Sequence, residues 1–293
     1  MSAKGGVVPS LGAVILTMGD RAEQLGALLA SIAGQRGPRI EVVVVGNGVR
    51  PPRLTGGVRT ITLECNVGIP AGRNIGAAAL ATDVVLFLDD DGVLADDTIA
   101  ERVRAAFACD PRLGIVSFRV CDPVSGSVQR RHVPRMRVGD PRRSSAVTTF
   151  LGGACAIRRT VLREVGGLPD AFFYAHEETD LAWRAIGAGW SIAYRGDLTL
   201  YHPATAPARH EHYHRMTARN RVWLARRNLP WALVPLYLGT WWTITMLRER
   251  SRAAVAAWLR GHHEGWKSPC GERRPMSWRT VWVLTCHGRP PIV

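Results

Sequence analysis

Four short apolar runs constrain what this chain can fold into. GAVILTM (12–18), IEVVVVGNG (40–48), VRTITLE (58–64) and DVVLFLDDD (83–91) each give way to glycine or polar turn residues. Helical stretches lie between the first and second runs and between the third and fourth. In EQLGALLASIAGQ (23–35), Leu25, Leu28, Leu29 and Ile32 share one helical face. NVGIPAGRNIGAAALA (66–81) is a Gly-rich loop leading into a second helix. This alternation predicts a mostly parallel sheet covered by helices. Ligands of such open sheets sit beyond the carboxyl ends of the strands, where these turns fall.

The fourth run ends on Asp89, Asp90 and Asp91. Adjacent carboxylates in a low-dielectric site raise one another's pKa unless a cation compensates. Aspartate oxygens are hard ligands suited to a divalent metal. Strand alternation predicts Asp89 and Asp91 on one side and Asp90 on the other. A D-x-D pair then offers two metal ligands, or one ligand and a sugar-hydroxyl contact. The same residues equally suit an acidic turn before a helix, since Asp96 and Asp97 follow.

Downstream, DDTIAERVRAAFACDP (96–111) predicts a helix with Ile99, Val103 and Phe107 on one face and Pro111 as its stop. GIVSFRV (114–120) predicts a strand, and the Arg-rich PRMRVGDPRRSS (134–145) a mobile loop. FLGGACAIRR (150–159) and WSIAYR (190–195) flank a helix over EETDLAWRAIGAG (177–189).

A different region follows. LPWALVPLYLGTWWTITML (229–247) is nineteen residues without a charge, bracketed by RVWLARRN and RERSR. That approaches the roughly 20 residues needed to span a bilayer. Pro230, Pro235 and Gly239 interrupt it, and both flanks are basic, so interfacial attachment or insertion is expected. The expected organisation is an α/β domain over 1–228 and a helical, membrane-associating extension over 229–293.

Charge supports the same division. The net charge is +14, and from Leu200 onward fifteen Lys/Arg face four Asp/Glu, so this last third carries +11. A basic tail implies acidic partners, here an anionic membrane surface. His210, His212 and His214 fall at every second position in a basic stretch expected to meet phosphate or headgroups rather than metal. Six cysteines without a CxxC pair read as reduced, mostly buried residues. MSAKGGVVPS is too poor in apolar residues for a secretory signal, so a cytoplasmic location at the inner membrane face is expected.

Four motifs in one order carry a resemblance: NVGIPAGRNIG (66–76), LDDDGVL (88–94), FLGGACAIRR (150–159) and GGLPDAFFYAHEETDLAWR (166–184). Together, over roughly residues 12–228, they resemble the family-2 glycosyltransferases, inverting enzymes of GT-A fold with nucleotide-sugar donors. The resemblance implies Mg²⁺ or Mn²⁺ at D-x-D, with Asp89 and Asp91 as ligands and His202 completing the shell. It implies a nucleotide-sugar site from Thr17, Asn47, Arg73, Asn74, Asp89, Asp90, Gly152, Gly153 and Asp180. Asp180 also stands at i, i+4 from Arg184, the spacing of a structural pair. Glu178 occupies the position of the catalytic base, where the family usually has Asp, and Glu177 is its alternative. Two departures, Gly46-Asn47-Gly48 and Thr17-Met18-Gly19-Asp20-Arg21, leave the nucleotide undefined.

The expected reaction is transfer of a hexose or deoxyhexose from a nucleoside diphosphate sugar to a hydroxyl of a glycan or lipid-linked acceptor. A nucleotidyltransferase would also use paired aspartates, but should carry a basic, Gly-rich phosphate loop after the first strand. TMGDRAEQ has none. A non-catalytic basic protein binding membrane or nucleic acid would need neither the aspartates nor HEETD, and no nucleic-acid motif is present.

Overall fold

The computed structural model describes residues 8–54, 56–204 and 211–293. Strands β1 (Leu11–Thr17), β2 (Glu41–Gly46) and β3 (Arg59–Thr62) alternate with helices α1 (Ala22–Ala33) and α2 (Ile69–Ala78), ahead of β4 (Val84–Asp89). Then come β5 (Val93–Leu94), α3 (Ile99–Cys109), β6 (Leu113–Cys121), β7 (Ser145–Ala146), β8 (Ala154–Arg158), α4 (Arg159–Val165), α5 (Glu177–Gly187) and β9 (Ser191–Tyr201). Four helices close the chain: α6 (Glu211–Asn228), α7 (Val234–Arg248), α8 (Arg252–Lys267) and α9 (Trp278–Cys286).

One sheet runs in the order β3-β2-β1-β4-β8-β6-β9-β5, with β7 on β9. The first four strands are parallel, as the alternation predicts. β8 departs from it, running antiparallel between β4 and β6. That reversal sets Ala154 against Leu88, so the Gly152-Gly153 turn stands beside the end of β4. Side chains alternate faces, as strand geometry requires. Ala13, Ile15, Leu86 and Leu88 pack with Leu25, Leu28, Ile99 and Phe107 on one face. Val14, Val45, Val85 and Phe87 pack with Leu181 and Ala185 on the other.

Gly72 and Gly76 let α2 ride close on the sheet: a Cβ at either would lie 2.4–2.5 Å from Leu16 or Val14. This approach carries Arg73 to the strand ends.

The segment 134–145 is pinned rather than loose. Arg135 donates to the Arg143 and Asp140 carbonyls, and the Tyr194 hydroxyl donates to Pro141.

The C-terminal helices share a core with the sheet domain. Phe172 and Trp183 pack with Val222 and Leu224 of α6, Val234 and Tyr237 of α7, and Leu284 of α9. α8 presses onto α6 through Gly261, whose Cβ would lie 2.0 Å from the Arg215 carbonyl. Among the described residues, no helix is long and apolar enough to cross a membrane. Arg209 and His210 lie outside the described residues. His212 and His214 sit on a helix, and His214 is buried 3.8 Å from Glu249.

Candidate active site

β4 ends at Asp89, so Asp90 and Asp91 fall in the following turn, and the alternation expected of a strand does not reach them. Asp90 and Asp91 instead share one cation. Arg21 Nη1 lies 3.2 Å from Asp90 Oδ1 and 2.7 Å from Asp91 Oδ2. Thr17 Oγ1 donates to Asp90 Oδ2 at 2.7 Å. Burial raises the Asp90 pKa despite these partners. Asp89, the most open of the three, turns to Arg73, with Nη2 to Oδ1 at 3.0 Å.

Arg73 links the aspartates to the glutamates. It is buried, its Nη1 lies 3.9 Å from Glu177 Oε1, and it stands over the Phe87 ring. Burial opposes its charge, but Asp89, Glu178 and Glu177 outweigh that and keep it protonated. Burial first, and then the charge of Glu178, pushes Glu177 up to about 8. Burial also raises Glu178, against the pull of Arg73. The glycine pair explains itself here. A Cβ on Gly153 would lie 1.8 Å from Asp89 Oδ2, and one on Gly152 would lie 2.4 Å from both Arg73 Nη1 and Glu178 Oε1.

The antiparallel pairing of β5 with β9 sets Val93 opposite Tyr201 and brings His202 beside Asp91. His202 Nε2 lies 3.0 Å from Asp91 Oδ1, an oxygen that is shielded and has no aligned hydrogen bond. His202 Nδ1 stands 2.8 Å from the Pro203 carbonyl, which can only accept, so Nδ1 carries the proton. Nε2 then meets a carboxylate oxygen, and that contact needs a second proton or a metal between them. An imidazole held through its far nitrogen, beside a shielded carboxylate oxygen, fits a divalent cation as well as it fits a proton. Asp89 does not join the pair, because Arg73 engages it. Among the described residues no three His, Cys, Asp or Glu side chains form a ready-made cage. A Mg²⁺-type site needs none, since one or two carboxylates plus substrate phosphates and waters suffice.

Two expected donor contacts are used elsewhere. Asn74 Nδ2 donates to the Leu168 carbonyl and to Asp170 Oδ1, while its Oδ1 accepts from Leu168 N. Both ends of its amide therefore hold the 167–170 loop rather than a nucleotide. Asp180 is fully buried, with Arg184 at 2.6 Å, Arg227 at 2.9 Å and Asn228 at 2.7 Å. Burial opposes its charge, but the two arginines and Asn228 hold its pKa low. Asp180 ties α5 to α6; the i, i+4 pair with Arg184 is present, and a donor contact is not. Asn47 stays in the site. Its Oδ1 accepts from Val67 N and its Nδ2 donates to Asn66, fixing the Gly-rich loop against the end of β2.

Sequence reasoning gave Asn220 no structural role. Phe173, Ala175 and His176 all adopt left-handed backbone, with φ of 62°, 69° and 70°. Non-glycine residues seldom hold such angles unless their surroundings fix them. Asn220 on α6 does so. It is completely buried, and Nδ2 lies 2.8, 2.6 and 3.0 Å from the carbonyls of Phe172, Tyr174 and Ala175. The loop thus clamped delivers Glu177 and Glu178 to the cleft.

Two adjoining cavities frame these groups. One, of about 480 Å³, is lined by Thr17, Asp20, Arg21, Asn47, Asn66 and Asp90 among others. The second, of about 580 Å³, holds Gly152, Gly153, Glu177, Glu178 and His202. Arg73, Asp89 and Tyr174 line both. A larger space of about 1170 Å³ lies at the β2–β3 edge and carries no paired carboxylates.

The model of glycosyl transferase family 2 matches residues 13–166, more than half of the chain. The chain belongs to this family. A pre-mycofactocin glycosyltransferase of Mycobacterium tuberculosis is 29% identical over 231 residues, 73% of this chain; the chain covers 44% of that protein's length. Among solved structures, Staphylococcus aureus TarS superposes with a TM-score of 0.59 at 16% identity, over 87% of this chain and 80% of TarS. GalNAc-T7 with UDP, GalNAc and Mn²⁺ gives 0.63 at 14%, over 88% and 55%. The mannosyltransferase PcManGT of Pyrobaculum calidifontis, with GDP-Man and Mn²⁺, gives 0.54 at 15%, over 96% and 73%. This family-2 member therefore has the GT-A fold followed by a C-terminal helical region. Membership decides against the nucleotidyltransferase alternative.

Proposed function

We propose that the protein transfers a hexose or deoxyhexose from a nucleoside diphosphate sugar to an acceptor hydroxyl, with inversion and in one displacement. The position of Arg73 carries this reading. It lies between Asp89 and Glu177 and lines both cavities, so one cation borders the nucleotide space and the glutamate pair. The nucleoside occupies the cavity at Thr17, Arg21 and Asn47, and the diphosphate reaches the end of β4. Asp89 and the Gly152-Gly153 turn border the sugar.

Glu178 takes the proton from the acceptor hydroxyl as the new C–O bond forms. The bond from the anomeric carbon to the diphosphate breaks on the opposite face. An alcohol with a pKa near ~15 is a poor nucleophile, and a base whose own pKa is raised by burial removes its proton more readily. Arg73 stabilises charge gathering on the departing diphosphate. Asp91 and His202 would hold a divalent cation, Mg²⁺ or Mn²⁺, which supplies further charge neutralisation there. Glu178 serves as the base because it stands at the family's base position; beside it, burial raises the carboxyl of Glu177.

The enzyme works at a membrane surface in the cytoplasm, on a glycan or lipid-linked acceptor. Exposed Trp231, Leu236, Trp242, Leu247, Trp278 and Trp282 in the +11 tail support attachment. All six cysteines are free, as a reducing compartment allows. The test is product analysis with labelled nucleotide sugars. Wild type yields an inverted glycoside, whereas Glu178→Gln binds donor and makes none. Turnover unchanged in that variant overturns the assignment of the base.

A further inference from the structure

One wall of the second cavity, the one that holds the glutamate pair, carries charge that no described residue neutralises. Arg221 lines the cleft and is 9% exposed. Its guanidinium stacks 3.6 Å over Trp241 and lies 3.3 Å from the Tyr237 hydroxyl. Among the described residues no carboxylate offsets it. Arg289 adds to the same field, near enough to Arg221 and Arg130 for the three charges to repel. Among the described residues, Arg130 donates to the carbonyls of Val133 and Met136. Burial lowers the basicity of both Arg221 and Arg289, as it does for cations without a counter-charge.

Neutral polar atoms are also left over around this wall. His176 Nε2, Thr217 Oγ1 and Trp241 Nε1 are shielded from solvent and have no hydrogen-bond partner among the described residues. Thr217 stands one helical turn before Arg221 on α6, and both line the cleft with His176. A buried cation with aromatic neighbours but no counter-charge is costly to desolvate, so this wall is incomplete without an anion. Glu177 does not fill the role, since its carboxyl group faces Arg73. A planar guanidinium with a hydroxyl and an indole N–H beside it matches an oxyanion.

We propose that the acceptor carries a phosphate or carboxylate group that seats on Arg221, with Thr217 and His176 beside it, while its hydroxyl reaches Glu178. This rests on the glycosyltransferase reading of the cleft and defines the acceptor class: an anionic hydroxyl compound rather than a neutral sugar.

The test is calorimetric titration of the full chain with inorganic phosphate and with acetate, at constant ionic strength and without nucleotide. Wild type binds one of the two saturably. Arg221→Gln weakens that binding at least about tenfold, as loss of a charge-assisted fork implies. Thr217→Val weakens it less, and keeps the test open should Arg221→Gln fail to fold. The exposed Arg163→Gln, away from the cleft, retains full affinity. Competition by phosphatidylglycerol vesicles marks a lipid-borne anion, and indifference to them a soluble acceptor; either supports the proposal. No saturable binding to wild type, or affinity unchanged in Arg221→Gln, overturns it. Nucleoside diphosphate binding, measured separately, tests the donor reading, so the two failures are distinguishable.

Discussion

Gly153 and Asp89 occupy one another's space: a Cβ on the glycine would sit 1.8 Å from Asp89 Oδ2, inside the carboxylate. The backbones are fixed by the β4–β8 pairing and by the bond from Asp89 N to the Gly153 carbonyl at 3.0 Å. Only the Asp89 side chain can yield. Gly153→Ala is therefore expected to fold with about 1 kcal/mol or less of lost stability, because a flexible carboxylate moves aside. Asp89 then leaves Arg73, and donor turnover falls at least about tenfold. Thermal melts and initial rates on one preparation separate the two effects.

Asn220→Ala removes three bonds to the left-handed loop at once. The Phe172 carbonyl keeps its bonds from Arg219 and Tyr174 N, but the Tyr174 and Ala175 carbonyls lose this donor, at a cost of about 1–3 kcal/mol, and the loop bearing Glu177 and Glu178 loosens. The expected signature is a fall in kcat larger than the change in nucleotide affinity, since the clamp acts on the glutamates. Equal losses in both would assign Asn220 to general stability.

Glu177 gives a pH dependence with a definite sign. Its pKa rises from 4.5 to about 8 on folding, so the folded chain keeps a proton that the unfolded chain releases across that window. The contribution of Glu177 to stability then falls as pH rises from about 4.5 to about 8 and levels off above. Glu177→Gln removes this titration. Its stability relative to wild type should grow through the same window by an amount on the order of a few kcal/mol. Denaturant melts at pH 5, 7 and 8.5 check it, and a constant difference would show that Glu177 ionises normally.

Trp278 and Trp282 stand one turn apart on α9, 61% and 68% exposed. Changing both to Ser should leave the melting temperature within about 2 °C, as expected of surface positions, and reduce co-sedimentation with phosphatidylglycerol vesicles. Deleting 229–293 is a poorer test, because Val234, Tyr237 and Leu284 share a core with Phe172 and Trp183. Full sedimentation of the double variant would exclude α9 from the contact.

Much of the sheet was legible because its periodicity is local. The runs beginning at 12, 40, 58 and 83 became adjacent parallel strands, and ligand-facing residues collected at their carboxyl ends. The Asp triplet was legible as a site but not in its geometry, since one-residue precision in where β4 ends decides which way Asp90 and Asp91 point. The RNIG motif contains both a site residue, Arg73, and a structural one, Asn74, and only the position of the 167–170 loop tells them apart. Asp180 misled in the same way: its partners Arg227 and Asn228 are more than forty residues distant. The Asn220 clamp and the uncompensated Arg221 are likewise long-range features, visible only once α6 is packed against the loop before α5.

The most direct measurement is binding of UDP, GDP, TDP, CDP and ADP to the full chain, with and without Mn²⁺, followed by calorimetry or thermal shift. The account predicts that one of these binds in a metal-dependent way, and that Asp91→Ala removes the metal dependence while the variant stays folded. If no nucleoside diphosphate binds the wild type under either condition, the cluster at the end of β4 does not serve a nucleotide-sugar donor.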